Sequence, residues 1–319
     1  MHVSFAEHAF VAHALRRLAV LVMTLVGLSI AVFLVAEGTP ERLATAVLGP
    51  LATEQQLADW LSSTGYDRPL AERYFSWAGG VLRGDLGQSL LFQAPVDDVL
   101  IPRLWASLTL GLAALGIFVP LGLVLGFWAG FRKRRLTDRI ISWGAILVTS
   151  MPEYALALIG LAIFVFWLDW LPGASPLLDG PSLQELALPA GVLALIATGH
   201  VARLTRAAVV DAMGRPYIKA ARLKGIQGVR LALRHLAPNI LSVPITMICL
   251  HINWLLSGVI AVEVAFGYPG FGTLVWRAAL AGDVAVLEAA ALIAGAVALF
   301  SQSVADLASR SLKPAGALQ

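Results

Sequence analysis

The sequence predicts an all-α polytopic membrane protein with about six transmembrane helices and a small helical extracytoplasmic insertion after the first. Three observations support this fold class. Of the 319 residues, 58% are hydrophobic and 13% are charged, which is about half the charge of a soluble domain. The apolar residues come in runs close to the ~20 residues that a spanning helix needs. Lysine and arginine concentrate in alternate connecting segments, as the positive-inside rule expects.

Six apolar segments are the predicted spans. They are residues 18–36, 105–131, 140–168, 186–201, 240–262 and 284–307. The fourth is the shortest and contains Pro189. Arg16 and Arg17 precede the first apolar run, as they would in a signal peptide, but no clean small-residue cleavage site follows and five more spans come after. We therefore interpret residues 1–36 as an N-terminal segment with a retained first helix.

Charge distribution predicts the orientation. With the N-terminus inside, 17 of the 23 lysine and arginine residues fall in inner segments. Since this bias is typical of cytoplasmic loops, both termini are expected in the cytoplasm, with residues 309–319 as a cytoplasmic tail. Residues 105–308 then form the transmembrane core.

The outer segment 37–104 is too long for a plain connector, and its helix signals predict a small subdomain. Thr53 and Gln56 have the spacing of a capping box, and Gly65 ends that helix. A second helix is expected from Pro69 to Gly84. Its apolar stripe is Leu70, Tyr74, Trp77 and Val81. The subdomain is predicted either to cover the helix tips as a lid or to form part of a docking surface for an external partner.

Several motifs of catalysis and nucleotide binding are absent from the sequence. There is no Gly-x-x-x-x-Gly-Lys-Ser/Thr loop and no His-Glu-x-x-His or Gly-x-Ser-x-Gly string. The single Cys249 excludes an internal disulfide and a multi-cysteine metal site. Because the basic residues flank apolar runs, nucleic-acid binding is not expected. We predict a chain that binds no cofactor and catalyses no reaction.

The inner loop between the fourth and fifth spans contains a predicted short helix. Pro216 suits its start and Gly225 its end. Ile218 and Ala221 share a face with Gly225, while Lys219 lies on another. A basic amphipathic helix on anionic lipid headgroups would explain the charge. It would not explain the paired alanines, which favour a low-profile surface that lies in the groove of another protein.

Residues of a translocation pathway are harder to predict. Glu153 is the one plausible acid within a predicted span, and intramembrane acids are functional candidates. The alternative is that it faces a partner helix or the lipid headgroups. Met247 and His251 lie four apart on one face, close to Cys249. Sulfur and imidazole suit nickel or copper, but ordinary core packing is the favoured explanation of these residues and a metal cargo is the alternative. A third candidate is the outer loop of residues 263–283, where Pro269 and several glycines exclude a continuous helix. This loop is expected either to re-enter the membrane over the pathway or to form a surface turn.

Together these motifs resemble the permease subunits of ABC importers, in particular the first (B-type) permease of the dipeptide/oligopeptide/nickel family. The resemblance covers nearly the whole chain. It is carried by residues 217–225 with Arg234-His235 and Asn239, by the Gly-Asp-Leu-Gly-Gln-Ser string at 84–89, and by the Glu-Val-Ala-Phe-Gly-Tyr-Pro-Gly-Phe-Gly string at 263–272. The chain departs from the family at Lys219, at Gly38-Thr39-Pro40 and at Ser311-Leu312-Lys313-Pro314.

The resemblance implies an ATPase-coupling role for the inner loop 203–239. The coupling residues would be Tyr217, Lys219, Ala220, Ala221, Lys224, Gly225 and Asn239. The residues themselves and the resemblance together give these candidates for the pathway or the outer loop, with no metal site: Glu153, Met247, His251, Glu263, Pro269, Gly270 and Gly272. Substitution of Ala221 by Arg, or of Gly225 by Trp, is expected to block docking and leave the fold intact.

The resemblance also implies partners and a location. The partners would be a second, similar permease, two cytoplasmic ATPase subunits that carry ATP and Mg²⁺, an extracytoplasmic solute-binding protein and the lipid bilayer of a bacterial inner (plasma) membrane. The expected cargo is a di- or oligopeptide, and the alternative is nickel or a metal–metallophore chelate. A stand-alone secondary carrier is less favoured because neither internal repeats nor midplane acids are evident.

Overall fold

The computed structural model describes residues 19–20, 22–35, 44–45, 48–49, 51–177, 180, 182–257 and 259–311. The predicted segment before residue 19, the Gly38-Thr39-Pro40 string and residues 312–319 of the tail lie outside this description. The helices and strands, in chain order, are α1 Val22–Val35, α2 Glu54–Thr64, α3 Leu70–Leu82, β1 Gln88–Ser89, β2 Ala94–Pro95, α4 Val96–Phe131, α5 Leu136–Ser150, α6 Glu153–Gly160 continued by the π-helical Leu161–Trp167, α7 Leu183–Met213, α8 Pro216–Leu223, α9 Gly228–Ile240, α10 Ser242–Ser257, α11 Ile260–Ala265, α12 Phe271–Ala281 and α13 Val284–Ser311.

The described residues confirm an all-α polytopic protein. By length and composition, α4, α7 and Val284–Ala305 of α13 can each cross a membrane alone. Two bent helix pairs raise the number of candidate spans to five. The helix α1, which overlaps the predicted first span, is apolar but shorter in its described part. The structure therefore contains three to five candidate spans, against about six predicted.

The third predicted span is not one straight helix. It divides into α5 and the 153–167 helix, which are bent by 106°. Pro152 cannot donate a backbone hydrogen bond, and it disfavours helical backbone at the preceding residue. Met151 accordingly has φ −89° and ψ 140°, an extended conformation. The proline turns the chain at this point.

The fourth span is longer than predicted, because α7 continues through Pro189. A proline inside a helix leaves the carbonyl four residues earlier without its donor. That carbonyl belongs to Glu185, and it accepts a hydrogen bond from Ser175 Oγ at 2.6 Å. Within the most apolar window of α7, 72% of the residues are buried, against 28% for α4. Helix α7 is therefore central to its part of the fold.

Three glycines spaced four residues apart bring α4 close to α7. Gly122, Gly126 and Gly130 face Val201, Thr205 and Val209, in that order. A Cβ on Gly126 would lie 2.5 Å from Thr205 Cβ and 2.7 Å from the Ala202 carbonyl oxygen. Small residues at this spacing are a typical close-packing device of membrane helices.

The described chain forms two compact units. One contains the residues up to Pro102 together with Leu274–Leu299, and the other contains Arg103–Thr273 with the residues from Phe300 onward. The features of α5, α6, α7 and the α4 glycines above belong to the second unit.

The first unit contains the outer insertion, where the predicted capping box is present. Gln56 N donates to Thr53 Oγ1 at 3.3 Å, and Thr53 N donates to Gln56 Oε1 at 2.9 Å. Gly65 ends α2 with a left-handed φ of 76°. The next helix, α3, begins after Pro69 and ends at Leu82, two residues before the predicted stop.

The apolar stripe of α3 packs on α1. Phe33 is buried, and its ring centroid lies 5.4 Å from that of Tyr74 and 5.5 Å from that of Trp77. A hydrogen bond of 2.9 Å joins Tyr74 Oη and Ser29 Oγ. These contacts fasten α3 to α1 within the first unit.

A short antiparallel strand pair, β1–β2, follows α3 and was not predicted. Gly87 N donates to Asp85 Oδ1 at 3.0 Å, which shapes the turn into β1. Asp283, which precedes α13, is fully buried and accepts from Ser89 Oγ at 2.5 Å and from Leu91 N at 3.0 Å. The Gly-Asp-Leu-Gly-Gln-Ser string therefore anchors the strand pair to the start of α13.

Candidate functional site

The inner loop forms the two-faced helix α8 (Pro216–Leu223), with the start and end that the sequence predicts. Arg215 is extended and Pro216 occupies the first helical position, where its fixed φ is favourable. Gly225 follows with φ 78°, a left-handed conformation that favours glycine. Gly225 N donates to Arg222 O at 2.9 Å, and Ile226 N donates to Ala221 O at 3.1 Å. The chain therefore reverses tightly after the helix.

The inner face of α8 packs against its own chain. Ile218 is fully buried and Ala221 is 5% exposed. Both belong to an apolar cluster, which we call the coupling cluster. Its other buried members are Val209, Ala212, Leu231, Leu236 and Ile240. Since these residues come from α7 and α9, the cluster mechanically joins α8 to both helices.

The outer face of α8 consists of Lys219, Ala220 and Leu223, all exposed. Leu223 is 90% exposed, and the sequence analysis missed it. A helical wheel places it opposite the midpoint of Ile218 and Ala221, so its position was available from the spacing. Ala221, in contrast, faces inward. Arginine at Ala221 would therefore disrupt the coupling cluster, contrary to the expectation of an intact fold.

Polar side chains surround α8. Arg215 Nη2 and Asp211 Oδ2 form an exposed ion pair of 2.8 Å, and the hydrogen bond to Asp211 raises the pKa of Arg215. Partial burial raises the pKa of the Tyr217 phenol. Asn239 lies on α9, where its Nδ2 donates to His235 O at 2.7 Å. Lys224 caps α8 and is exposed.

An ion pair that the sequence analysis missed connects α5 to the end of α7. Asp138 is buried and binds the Arg206 guanidinium through Nε and through Nη2, the latter at 2.9 Å from Oδ2. The same carboxylate accepts from Arg134 N at 2.8 Å and from Ser142 Oγ at 3.3 Å. Arg206 lies two turns before the end of α7, so this network fixes the helix that leads into α8.

Two predicted pathway residues, Glu153 and His251, contribute to one polar and aromatic cluster. Trp254 Nε1 donates to Glu153 Oε1 at 3.0 Å. The ring centroid of His251 lies 5.8 Å from Trp254, 5.4 Å from His200 and 5.9 Å from Phe118. Glu153 begins α6 directly after the Pro152 bend. The bend thus places the Glu153 carboxylate beside the Trp254 indole of α10, which in turn contacts the His251 ring.

Met247 and His251 are not seen to act together as metal ligands. His251 Nδ1 lies 3.0 Å from the backbone carbonyl oxygen of Met247, and this contact does not involve the Met247 sulfur. His200 Nδ1 is buried and has no hydrogen-bond partner in the described part of the chain. Within the same residues, no group of three or more His, Cys, Asp or Glu side chains is arranged to hold a metal ion.

Glu263 organises the outer loop from within. Its side chain is fully buried, accepts from Ser107 Oγ at 2.5 Å and accepts from Thr273 N at 2.9 Å. A Cβ on Gly270 or on Gly272 would collide with its carboxylate. Glycine is therefore required at both positions, and Glu263 caps the N-terminus of α12. These three predicted pathway residues have a structural role.

The loop is more helical than predicted. Its irregular part is short, around Gly267 (φ 60°) and the half-buried Pro269, before α12 begins at Phe271. Tyr268 is buried and its Oη donates to Ala106 O at 2.6 Å. Phe271 N donates to Ser107 Oγ at 2.8 Å. These bonds fasten the loop to the start of the membrane part of α4.

The family comparison covers most of these features. Residues 122–315 match the family described as "Binding-protein-dependent transport system inner membrane component". This range contains α8, the coupling cluster, the Pro152 bend and the outer loop.

Relatives of similar length extend the match toward the N-terminus. A putative peptide transport system permease protein of Brucella abortus is 30% identical over 285 residues, which cover 88% of this chain and 91% of the relative. A putative peptide permease protein of Brucella ovis is 29% identical over 311 residues, with 95% and 98% covered. A glutathione transport system permease protein of Escherichia coli is 29% identical over 303 residues, with 95% and 98% covered.

Proposed function

This chain belongs to the family of binding-protein-dependent transport system inner membrane components, and we propose that it forms one transmembrane half of an ATP-driven importer of di- and oligopeptides. The family match confirms the resemblance to ABC-importer permeases: the chain is a multi-pass transport subunit. Relatives named for peptide and glutathione transport support a peptide cargo over the nickel alternative.

The observation that supports a coupling role best is the two-faced geometry of α8. Ile218 and Ala221 are buried in the coupling cluster, while Ala220 and Leu223 present a low apolar surface on the opposite side. Docking of an ATPase subunit against Leu223 would bury a large exposed side chain, which is favourable. Movement of the docked subunit would then reach α7 and α9 through the packed inner face.

The proposed assembly contains four further subunits. A second, similar permease completes the pathway, and two cytoplasmic ATPases hydrolyse ATP with Mg²⁺, one beneath each permease. A solute-binding protein delivers the cargo on the outer side. Both termini of this chain lie in the cytoplasm of a bacterial inner membrane, as the lysine and arginine distribution supports.

The cluster around Glu153 has chemistry suited to a peptide. A carboxylate attracts the α-ammonium group of a peptide, and Trp254 supplies an aromatic face for apolar side chains. Glu153 is half-buried, as is Trp254. We infer that this cluster contacts the cargo during passage.

A docking test uses two leucines of equal exposure. Leu223 is 90% exposed on α8, and Leu82 is 89% exposed at the end of α3 in the outer insertion. Leu223→Arg is expected to reduce co-purification with the ATPase subunits by about tenfold or more, since a charge would replace the apolar contact. Leu82→Arg is the matched control and should leave ATPase association unchanged. Equal association of both variants would contradict the docking role of α8.

A further inference from the structure

An apolar groove of about 710 Å³ lies between the C-terminal end of α4 and the helical segment 228–241. One wall includes Val124, Phe127 and Trp128 of α4, and the opposite wall includes Val229 and Leu233 of α9. Val124, Val229 and Leu233 are exposed. The volume falls within the usual range of ligand pockets, about 300–1,000 Å³.

The length of the groove along α4 is close to the thickness of one membrane leaflet. Its α4 wall runs from Leu123 to Arg132, which at 1.5 Å per residue is roughly 13 Å. Half of a bilayer hydrocarbon core is about 15 Å. A transmembrane helix of a partner would need a groove across both leaflets. The length of the groove therefore favours an acyl chain over such a helix.

The polar end of the groove carries a positive charge. Arg132 is the charged residue of the lining, and its guanidinium lies 5.4 Å from the centre of the Trp128 ring. Among the described residues, no carboxylate pairs with it. Lys133, Arg134 and Arg135 follow directly in sequence but lie outside the groove lining. An apolar slot with a basic rim matches a lipid that has a negatively charged headgroup.

We propose that this groove binds one anionic phospholipid from the leaflet on the side of α8, with an acyl chain between α4 and α9 and the phosphate at Arg132. This leaflet is the cytoplasmic one in the orientation that belongs to the proposed function. The lipid would contact Val229 and Leu233, while Leu231 and Leu236 of the same helix pack in the coupling cluster.

Native mass spectrometry of the purified importer complex tests this site. The complex is delipidated in mild detergent and titrated with phosphatidylglycerol or with phosphatidylcholine of the same acyl chains. The wild-type chain is expected to bind one phosphatidylglycerol with about fivefold preference over phosphatidylcholine, the effect of roughly one basic contact. Arg132→Gln should abolish this preference, whereas the matched variant Arg135→Gln, outside the groove lining, should keep it.

A second variant tests the apolar part of the site. Ala232 lines the groove and is half-buried, so Ala232→Phe should fill the slot and reduce retention of both lipids. Normal recovery of ATPase subunits with each variant separates loss of lipid from loss of the complex. Retention that is unchanged in Arg132→Gln and Ala232→Phe would overturn the proposal. Density for a partner polypeptide in the groove of the assembled complex would also overturn it.

Discussion

The close approach of α4 and α7 can be tested by adding a single methyl group. In Gly126→Ala the new Cβ would lie 2.5 Å from Thr205 Cβ and 2.7 Å from the Ala202 carbonyl oxygen, whereas carbon atoms in contact prefer about 3.5–4.0 Å. The helices must therefore separate by about 1 Å at this point. Overpacking of this kind typically costs about 1–3 kcal/mol.

Gly116 provides the matched control on the same helix. A Cβ at this position would meet nothing within 4 Å, so Gly116→Ala is expected to be neutral or to stabilise by up to about 1 kcal/mol through helix propensity. The free energy of unfolding is measured by SDS titration in mixed micelles, followed by tryptophan fluorescence. Gly126→Ala should be less stable than Gly116→Ala by about 1–4 kcal/mol. Equal shifts in the two variants would refute the close packing of α4 on α7.

Two buried carboxylates give further predictions in the same unfolding assay. Glu263→Ala leaves buried donors such as Thr273 N without their acceptor and should cost about 2–5 kcal/mol of unfolding free energy. Glu263→Gln retains an acceptor and should cost less. Equal losses in the two variants would contradict the capping role of Glu263. Ser89→Ala removes the bond to Asp283 and should cost about 1.5–3 kcal/mol. Ser63→Ala, which removes an exposed bond to a carbonyl of its own helix, should change stability by less than about 0.5 kcal/mol, and a similar loss in both serine variants would count against the Asp283 anchor.

Local signals in the sequence were sufficient to predict several structural elements. The capping box at Thr53 and Gln56 depends on three consecutive peptide units and is present as predicted. The bounds of α8 follow from Pro216 and Gly225, whose backbone preferences act within one turn. The apolar runs likewise predicted the polytopic all-α class. A segment inside a bilayer must satisfy its own backbone hydrogen bonds, and a helix does so.

Contacts between distant residues could not be predicted in this way. Ser89 and Asp283 are 194 positions apart, and nothing near either residue indicates the other. The continuation of α7 through Pro189 depends on Ser175, which supplies the missing donor from outside the helix. At Pro152 no such continuation occurs and the chain bends. Proline alone therefore does not decide between a bend and a straight helix.

The functional residues show the same division. Spacing identified the two faces of α8, but it did not decide which face is buried. The predicted coupling residue Ala221 faces inward, and the exposed Leu223 was not named. The contacts of Ile218 and Ala221 with α7 and α9 determine which face of α8 is buried. Glu263 was a candidate because it begins the outer-loop string at 263–272, yet its carboxylate accepts hydrogen bonds from Ser107 Oγ and Thr273 N.

Peptide uptake into proteoliposomes tests the importer assignment most directly. The complex of this chain with its second permease and ATPases is reconstituted, with the binding protein and a radiolabelled dipeptide on the side opposite the ATPases. We expect peptide accumulation that requires both ATP at the ATPase side and the binding protein, and that is strongly reduced in Leu223→Arg. Accumulation by this chain alone without ATP would contradict the account and would identify a secondary carrier.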